Sequence, residues 1–393
     1  MCKRTIVSEC VTNGHPDKIA DRIADTILDE FNKVDTNVRA GIEVMVKDNI
    51  VVLGGEISSS KTVDYDSIVR EIYKDLKFPA NHGLSPDNIK IINLIGKQSP
   101  EIHKGVDGGD DIGAGDQGFV CGYATNETPA YLGLGHYIAK CICRFIEDSK
   151  YIGPDAKSQV IIEYDEQGVA HLKSILVSTM HNDALENLND VRVHIEECIK
   201  KNLINVDQDI YEKYINQPGW KLDINPCGEW HIGGPVSDCG VTGRKIVVDQ
   251  FGGYCKVGGG ALVGKDMTKV DRSGAYMCRY LAKNIVASGL CDCAKVELSY
   301  MIGVPEPSSV YVWMNRNREL EDKVVDIIKN NVSLTPSGII KRFNIMNERS
   351  YHAIGRYGHY GVPEIYYGEE GEEWIYDLYP WEKTDIKHLF EIC

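Results

Sequence analysis

The segment GHPDKIADRIADTILDEF, residues 14–31, places its apolar residues on one stripe of a helix. A repeat of three or four residues is typical of an amphipathic helix that packs on a core. The stripe consists of Ile19, Ile23, Ile27, Leu28 and Phe31. Pro16 stands in the first turn, where proline is favoured. The pattern therefore predicts a helix over residues 17–31.

His15 and Asp17 stand at the start of this predicted helix. An aspartate in a first turn often only complements the helix dipole, and a histidine beside a turn is often an ordinary surface or core residue. The alternative is that both side chains belong to an active site. The segment by itself leaves both interpretations open.

The predicted helix opens an order of elements that occurs three times. It is followed by a hairpin, VRAGIEVMV and IVVLGGEI, then by a helix over residues 64–76 and a strand over residues 89–95. Similar passes begin at PAYLGLGHYIAKCICRFIED and at RSGAYMCRYLAKNIVASG. We therefore predict an α+β protein of three pseudo-symmetric α/β domains, with antiparallel or mixed sheets packed against helices. Sheet faces left uncovered would meet a partner subunit.

Composition excludes several classes of protein. The 393 residues carry a formal net charge of −15, which argues against nucleic acid and anionic membranes as partners. No apolar run is long enough to span a bilayer and the first residues lack a secretory pattern, so we expect a cytoplasmic protein. The thirteen cysteines are scattered and contain no CxxC, which favours reduced thiols. A basic island, residues 244–272, would suit a small polyanion.

Two glycine motifs match known nucleotide-binding patterns only in part. GAGDQG, residues 113–118, fits a dinucleotide-binding fingerprint, but the strand-like FVCGYA follows it where a helix is required. GGALVGKD, residues 259–266, resembles a P-loop, but Asp266 stands where a hydroxyl should bind magnesium. What remains is a glycine-rich loop that can bring N–H groups and Lys265 to an anion.

A set of charged residues could together bind a metal-bound triphosphate. Lysine and arginine neutralise phosphate oxygens, and one or two carboxylates hold magnesium. The set is His15, Asp17, Arg244, Lys245, Lys265, Lys269 and Asp271. Asp116 and Asp238 add weight because glycines flank both, as in loops that face ligands. The alternative is that the lysines are merely solvated, and that Glu43 and Glu56 are solvent-side acids of their strands.

The chain resembles the S-adenosylmethionine synthetase (methionine adenosyltransferase) family. The motifs that carry the resemblance follow the family order over about residues 5–305, and PWEKTD at 380–385 recovers it: GHPDKIAD, GGEI, IGKQSP, GAGDQG, YATNET, PDAKSQV, IGGPVSDCGVTGRKIVVDQFGG, GGGALVGKD and KVDRSGAY. The resemblance implies an N-terminal domain over residues 1–100, a central domain over 113–231, a C-terminal domain over 232–379 and a tail over 380–393. It also implies a homodimer, often paired into a tetramer, with active sites between subunits.

The resemblance implies a role for individual residues of this chain. ATP would be bound by His15, Asp155, Lys157, Trp230, Asp238, Arg244, Lys245, Ala261 and Lys265. Methionine would be bound by Glu56, Gln98, Asp116, Asp238 and Lys269. Asp17 and Asp271 would bind Mg²⁺, two ions per site, and Glu43 would bind K⁺. His15, Lys265 and Arg244 would be catalytic, and residues 99–112 would form a mobile loop over the site.

The implied reaction is attack of the methionine sulfur on C5′ of ATP, followed by hydrolysis of the triphosphate to phosphate and pyrophosphate. A thioether has no proton to lose, so no general base is needed. Two positions depart from the family. Glu229 and Gly153 stand where basic residues are usual, which implies weaker or reorganised binding of ATP.

Two other functions stay open at this stage. A regulatory homologue would bind substrate without turnover, but it would have no use for an intact set of charged residues. A phosphotransferase would produce ADP instead of phosphate and pyrophosphate. The acidic run YYGEEGEEW, residues 366–374, is expected to be a solvated loop.

Overall fold

The structure, a computed structural model, describes residues 3–391 apart from 98–111, 148, 150, 182–186, 345–350, 362–363, 369–370 and 376–378. Helices of eight residues or more are α1 Pro16–Val34, α2 Tyr65–Leu76, α3 Leu134–Glu147, α4 Leu188–Val206, α5 Val270–Ala287, α6 Glu321–Asn331 and α7 Pro336–Phe343. The strands are β1 Arg4–Val11, β2 Arg39–Lys47, β3 Ile50–Ser58, β4 Lys90–Asn93, β5 Gly118–Thr125, β6 Ile152–Tyr164, β7 Ala170–His181, β8 Lys221–Ile224, β9 Gly240–Val241, β10 Cys293–Tyr300, β11 Ser309–Met314, β12 Glu364–Gly368 and β13 Gly371–Ile375.

The predicted helix over residues 17–31 is confirmed as α1. Its apolar stripe is fully or almost fully buried. His15 caps the helix, because its side chain accepts a hydrogen bond from the backbone N–H of Asp17. Burial of five large apolar side chains contributes about 1.5–3 kcal/mol each, so this stripe anchors the N-terminal third of the fold.

Three sheets repeat the predicted plan of hairpins. Their strand orders are β1-β6-β7-β8, β11-β10-β5 and β4-β3-β2-β9. The hairpins β2–β3, β6–β7 and β10–β11 are antiparallel, whereas β4 and β8 run parallel to β3 and β7. Two of the sheets are therefore mixed, in line with the predicted fold class.

The three sheets exchange strands in a cycle. In each pass, the strand that precedes the opening helix pairs with the hairpin of another pass: β1 with β6, β5 with β10, and β9 with β2. The opening helices α1, α3 and α5 lie against β2, β6 and β5 respectively. Each helix thus begins at the junction between two sheets, and loops from distant parts of the chain meet there.

Other sequence predictions meet different outcomes. The acidic run was expected to be a solvated loop, but its backbone forms the antiparallel hairpin β12–β13. The prediction was wrong because the apolar and aromatic residues on either side of the glycines, Ile365, Tyr366, Tyr367, Trp374 and Ile375, favour strands. The eleven cysteines within the described ranges are free thiols. No helix in the described part of the chain combines the length and apolar character needed to cross a bilayer.

Candidate active site

Four aspartates on α1 hold the loops that carry the candidate site residues. Asp17, Asp21, Asp25 and Asp29 lie one helical turn apart, and all four are buried. Each accepts a backbone N–H from a segment distant in sequence: Val241 to Asp17 at 2.9 Å, Gly243 to Asp21 at 2.9 Å, Gly264 to Asp25 at 2.8 Å and Tyr351 to Asp29 at 2.6 Å. This row, which we call the α1 aspartate row, fixes the loops that carry Lys245 and Lys265 relative to His15.

His15 stands at the N-terminal end of the row. The N–H of Asp17 donates to Nδ1 of His15 over 3.2 Å, so the neutral ring carries its proton on Nε2. Burial, and next the positive charge of Lys245, lowers the pKa of His15 to about 4. His15 is therefore a neutral hydrogen-bond donor at pH 7.

Asp17 pairs with the basic residues of the loop that follows β9. Lys245 donates to Oδ2 of Asp17, and a guanidinium nitrogen of Arg244 lies 3.8 Å from Oδ1. Burial opposes ionisation of Asp17, but the hydrogen bonds from Lys245 and Val241 outweigh it and lower its pKa. His15, Asp17, Arg244 and Lys245 therefore form one cluster.

A second acid–lysine pair occupies the start of α5. Nζ of Lys265 lies 2.5 Å from Oδ2 of Asp271, which is the second residue of α5 just as Asp17 is the second residue of α1. A Cβ on Gly260 would lie 2.2 Å from Asp271 Oδ2, so only glycine lets the loop approach this closely. Nζ of Lys269 lies 3.4 Å from Asp266 Oδ2.

Asp155 and Lys157 enter the first cluster from β6. Oδ2 of Asp155 accepts the N–H of Gly234 over 2.7 Å. Burial, opposed by that hydrogen bond and reinforced by the charge of exposed Asp238, raises the pKa of Asp155 to about 7. Lys157 pairs with Glu9 of β1 at 2.7 Å.

Trp230 lies beside two histidines at the far end of β7. Its backbone N–H donates to Nε2 of His181 over 3.3 Å, and its carbonyl accepts the N–H of His181 over 3.0 Å. Nε2 of His231 lies 3.4 Å from Oε2 of Glu229, whose side chain is 56% exposed. The acid that departs from the family is thus paired with a neighbouring histidine.

Gly153 has a steric explanation in this chain. A Cβ at this position would lie 2.2 Å from Cγ of Met180, which is fully buried. The space that an arginine side chain would need is filled by methionine. Gly153 and Met180 are therefore sterically coupled, and replacing the glycine alone would force Met180 to move.

The remaining candidates surround the second cluster. Gly41 of β2 lies opposite Glu56 of β3 and forms an isolated bridge with Lys265, and Glu43 follows two residues later in β2, so these three residues lie near one another. Asp116 is exposed in a loop whose Gly115 approaches the Lys269 side chain. Gln98 and residues 99–111 lie outside the described residues.

The sequence suggested one cluster of charged residues, whereas the structure has two, one around Asp17 and one around Asp271. The two clusters are in contact with each other. A Cβ on Gly243 would lie 2.4 Å from Cβ of Ala261, so the loops that carry Lys245 and Lys265 touch. Asp21 and Asp25 hold the same two loops on one face of α1. Direct contacts therefore link the clusters through their backbones.

The donor set fits magnesium held jointly with phosphates. Among the described residues no group of three or more His, Cys, Asp or Glu side chains forms a ready metal cage. Magnesium usually takes one or two carboxylates together with substrate phosphates and waters. Asp17 and Asp271 supply one carboxylate each, and each lies beside a lysine that could turn to a phosphate.

Sequence interpretation missed two features of this site. The α1 aspartate row repeats every four residues, which is typical of a solvated helix face, although the row is buried. Its period could have been noticed as a second stripe beside the apolar one. Glu9 was missed because it resembles any polar residue of an alternating strand, yet Lys157 and the charge of Lys245 both act on its carboxylate.

Comparison with known proteins identifies the family. Three family models match: S-adenosylmethionine synthetase N-terminal domain over residues 3–100, central domain over 111–230 and C-terminal domain over 232–369. The S-adenosylmethionine synthase of Brachyspira hyodysenteriae is 40% identical across 98% of this chain and 96% of its own length. That of Trichodesmium erythraeum is 38% identical across 98% and 95%.

A solved structure agrees with the sequence comparisons. An unusual S-adenosylmethionine synthetase from Campylobacter jejuni superposes with a TM-score of 0.86 at 33% identity, covering 100% of this chain and 99% of the other. The paired acids and lysines at the starts of α1 and α5, the three matched domains and the full-length relatives agree. The chain belongs to the S-adenosylmethionine synthetase family.

Proposed function

We propose that this chain makes S-adenosylmethionine from ATP and L-methionine at the two joined clusters. The observation that supports the proposal most is the duplicated pair, Asp17 with Lys245 and Asp271 with Lys265. Each pair combines a carboxylate for magnesium with an ammonium group for phosphate, at the start of a helix. A magnesium triphosphate could replace both ion pairs at once.

The reaction requires alignment and charge stabilisation. A lone pair of the methionine sulfur forms a bond to C5′ of ATP, the bond from C5′ to oxygen breaks, and its electron pair leaves with the triphosphate. The thioether loses no proton, so no protein base takes part. Preorganised donors aimed at the leaving oxygen would lower the barrier most.

His15 is assigned to the leaving oxygen. Its neutral ring presents Nε2–H, because Nδ1 is engaged by the N–H of Asp17. A pKa of about 4 keeps the ring in this form at pH 7, so His15 would donate a hydrogen bond without transferring a proton.

The phosphate groups are assigned to Arg244, Lys245 and Lys265, and magnesium to Asp17 and Asp271. Two bound Mg²⁺ ions would supply further neutralisation of the triphosphate charge during its departure and hydrolysis. Glu43 is assigned to K⁺, supported by its place in β2 two residues after Gly41, which pairs with Glu56 and Lys265. The other ATP contacts are assigned to Asp155, Lys157, Trp230, Asp238 and Ala261.

Methionine is assigned to the acids and the lysine around the second cluster. Its carboxylate would pair with Lys269, whose ammonium group has only a 3.4 Å contact to Asp266. Its ammonium group would suit Glu56, Asp116 and Asp238. Gln98 is assigned to the same substrate on the family resemblance alone.

The protein is assigned to the cytoplasm as a homo-oligomer. Its active sites are assigned to the interface between subunits. The outer faces of β2 and β4 expose Met45 and Ile92 at 41% and 46%, which a second subunit could cover. The arrangement in two clusters also suits a site that a partner completes.

One assay separates this function from its alternatives. Purified protein is incubated with Mg²⁺, K⁺, ATP and labelled methionine, and the sulfonium product, phosphate, pyrophosphate and ADP are quantified. We expect equal amounts of sulfonium, phosphate and pyrophosphate, and none without methionine. Production of ADP would support a phosphotransferase, and binding without any product would support a regulatory homologue; either result contradicts the proposal.

A further inference from the structure

We propose that Glu147, the last residue of α3, is a positioning residue that acts through His15. Its two carboxylate oxygens accept both donors of Asn13: the backbone N–H at 3.0 Å and the side-chain amide at 3.0 Å. Asn13 lies two residues before His15. The inference rests on the proposed role of His15 and extends it to a residue more than 130 positions away.

Backbone hydrogen bonds anchor the turn that carries His15 on both sides of Asn13. The N–H of Gly14 donates to the carbonyl of Pro154 over 3.0 Å, and the N–H of His15 donates to the carbonyl of Thr12 over 3.1 Å. A Cβ on Gly14 would lie 2.5 Å from Pro154, so the turn is pressed against the start of β6. Between these contacts, Asn13 itself is held by its two hydrogen bonds to the Glu147 carboxylate.

The place of Glu147 in its own helix favours a role outside that helix. A carboxylate at the C-terminal end of a helix faces the negative end of the dipole, which is unfavourable. The side chain is nevertheless largely buried at 12% exposure. Tyr357 also donates to Oε2, and Arg356 lies 3.5 Å from it. Four donors converge on one carboxylate, so its orientation is defined.

The consequence for catalysis is geometric. His15 can stabilise the leaving oxygen only if Nε2 lies at hydrogen-bond distance from it, and a misplacement of about 1 Å can cost about 100-fold in rate. If Glu147 sets the turn, its loss should lower kcat and leave the KM for ATP little changed. A purely structural role would instead lower stability and affect both constants.

The direct test is a double-mutant cycle with Glu147→Gln and His15→Asn, read by single-turnover sulfonium formation. The amide of glutamine keeps one acceptor oxygen but places an NH2 donor against the other donor of Asn13, so at least one of the two hydrogen bonds is lost. We expect Glu147→Gln alone to slow the step about 10- to 100-fold, and to have little further effect in the His15→Asn background. Additive losses would overturn the positioning role.

The same cycle distinguishes failure of this inference from failure of the proposed function. If His15→Asn by itself leaves sulfonium formation unchanged, the proposed role of His15 fails. If His15→Asn slows the step but Glu147→Gln does not, only the role of Glu147 fails.

Two further variants guard against loss of folding. Glu127→Gln is the matched control, because Glu127 accepts a backbone N–H from Leu134 at 3.0 Å and a hydroxyl from Tyr164 at 2.8 Å at the other end of α3. It should leave sulfonium formation within about twofold. Asn13→Ala keeps the backbone bond to Glu147 and should give a smaller loss than Glu147→Gln; no loss in either variant would contradict the inference.

Discussion

Nζ of Lys265 lies 2.5 Å from Oδ2 of Asp271, so the residue proposed for phosphate neutralises the residue proposed for magnesium. The same relationship links Lys245 to Asp17 in the other cluster. Each carboxylate has its charge balanced before any ligand arrives. Binding of a magnesium triphosphate would exchange both internal ion pairs for contacts to the ligand.

The first prediction removes one of these internal partners. Lys265→Met leaves Asp271 without its cation, so Mg²⁺ alone should bind more tightly while tripolyphosphate should bind more weakly. Calorimetric titration with each ligand measures both effects, and we expect severalfold changes of opposite sign. Lys74→Met is the control, because exposed Lys74 on α2 pairs with Glu71 at 3.4 Å and lies outside the basic island. If both affinities fall together, the exchange of ion pairs is wrong.

A second prediction concerns the protonation of His15. Its pKa of about 4 lies below the ordinary value of 6.5, so the folded state holds the neutral ring. The unfolded chain binds the extra proton first, and the stability contributed by His15 is lost as pH falls from about 6.5 to about 4. In ¹³Cε1-histidine spectra, the signal absent from His15→Asn should not titrate between pH 5.5 and 8. A midpoint near 6.5 would refute the assignment.

The third prediction concerns Asp155, whose pKa is raised to about 7 chiefly by burial. Stability from the neutral carboxyl is fully present below the unfolded pKa of about 4 and is lost as pH rises through about 7. Asp155→Asn keeps an oxygen for the N–H of Gly234 and removes the charge. The melting temperature of the variant relative to wild type should be higher at pH 8 than at pH 5.5. An equal difference at both pH values would contradict this account.

A fourth prediction restores a basic residue beside Trp230. Glu229→Arg replaces a repelling carboxylate with a phosphate-binding group, so the KM for ATP should fall severalfold. Steady-state kinetics at fixed methionine measures it. Glu196→Arg, on the surface of α4 and paired with Lys200 at 2.6 Å, changes the net charge equally and should have no effect. An unchanged KM in Glu229→Arg would mean that the side chain points away from ATP.

Much of the fold was predictable because short-range periodicity determines it. The apolar stripe of α1 and the alternation of residues in β2 and β3 depend on neighbours in sequence, and these elements form as expected. The cyclic exchange of strands was not predictable in the same way. β9 has only two residues, and its pairing with β2 joins positions nearly two hundred residues apart.

The site was predictable in composition but not in arrangement. Glycine-flanked and paired charges indicated an anion site, yet nothing local shows that Asp21 and Asp25 are buried. Their partners are the N–H groups of Gly243 and Gly264, more than 200 residues away. The role of Glu147 was not predictable for the same reason, since only the folded chain brings Glu147 to Asn13.

The most direct test of the account measures sulfonium formation by His15→Asn in a single turnover. Enzyme in excess over labelled methionine is mixed with saturating ATP and Mg²⁺, quenched at intervals and assayed for the sulfonium product. Loss of one donor to a developing oxyanion costs about 100- to 1,000-fold, so we predict a step slower by that order while ATP still binds. A rate equal to that of wild type would contradict the assignment of His15 to the leaving oxygen.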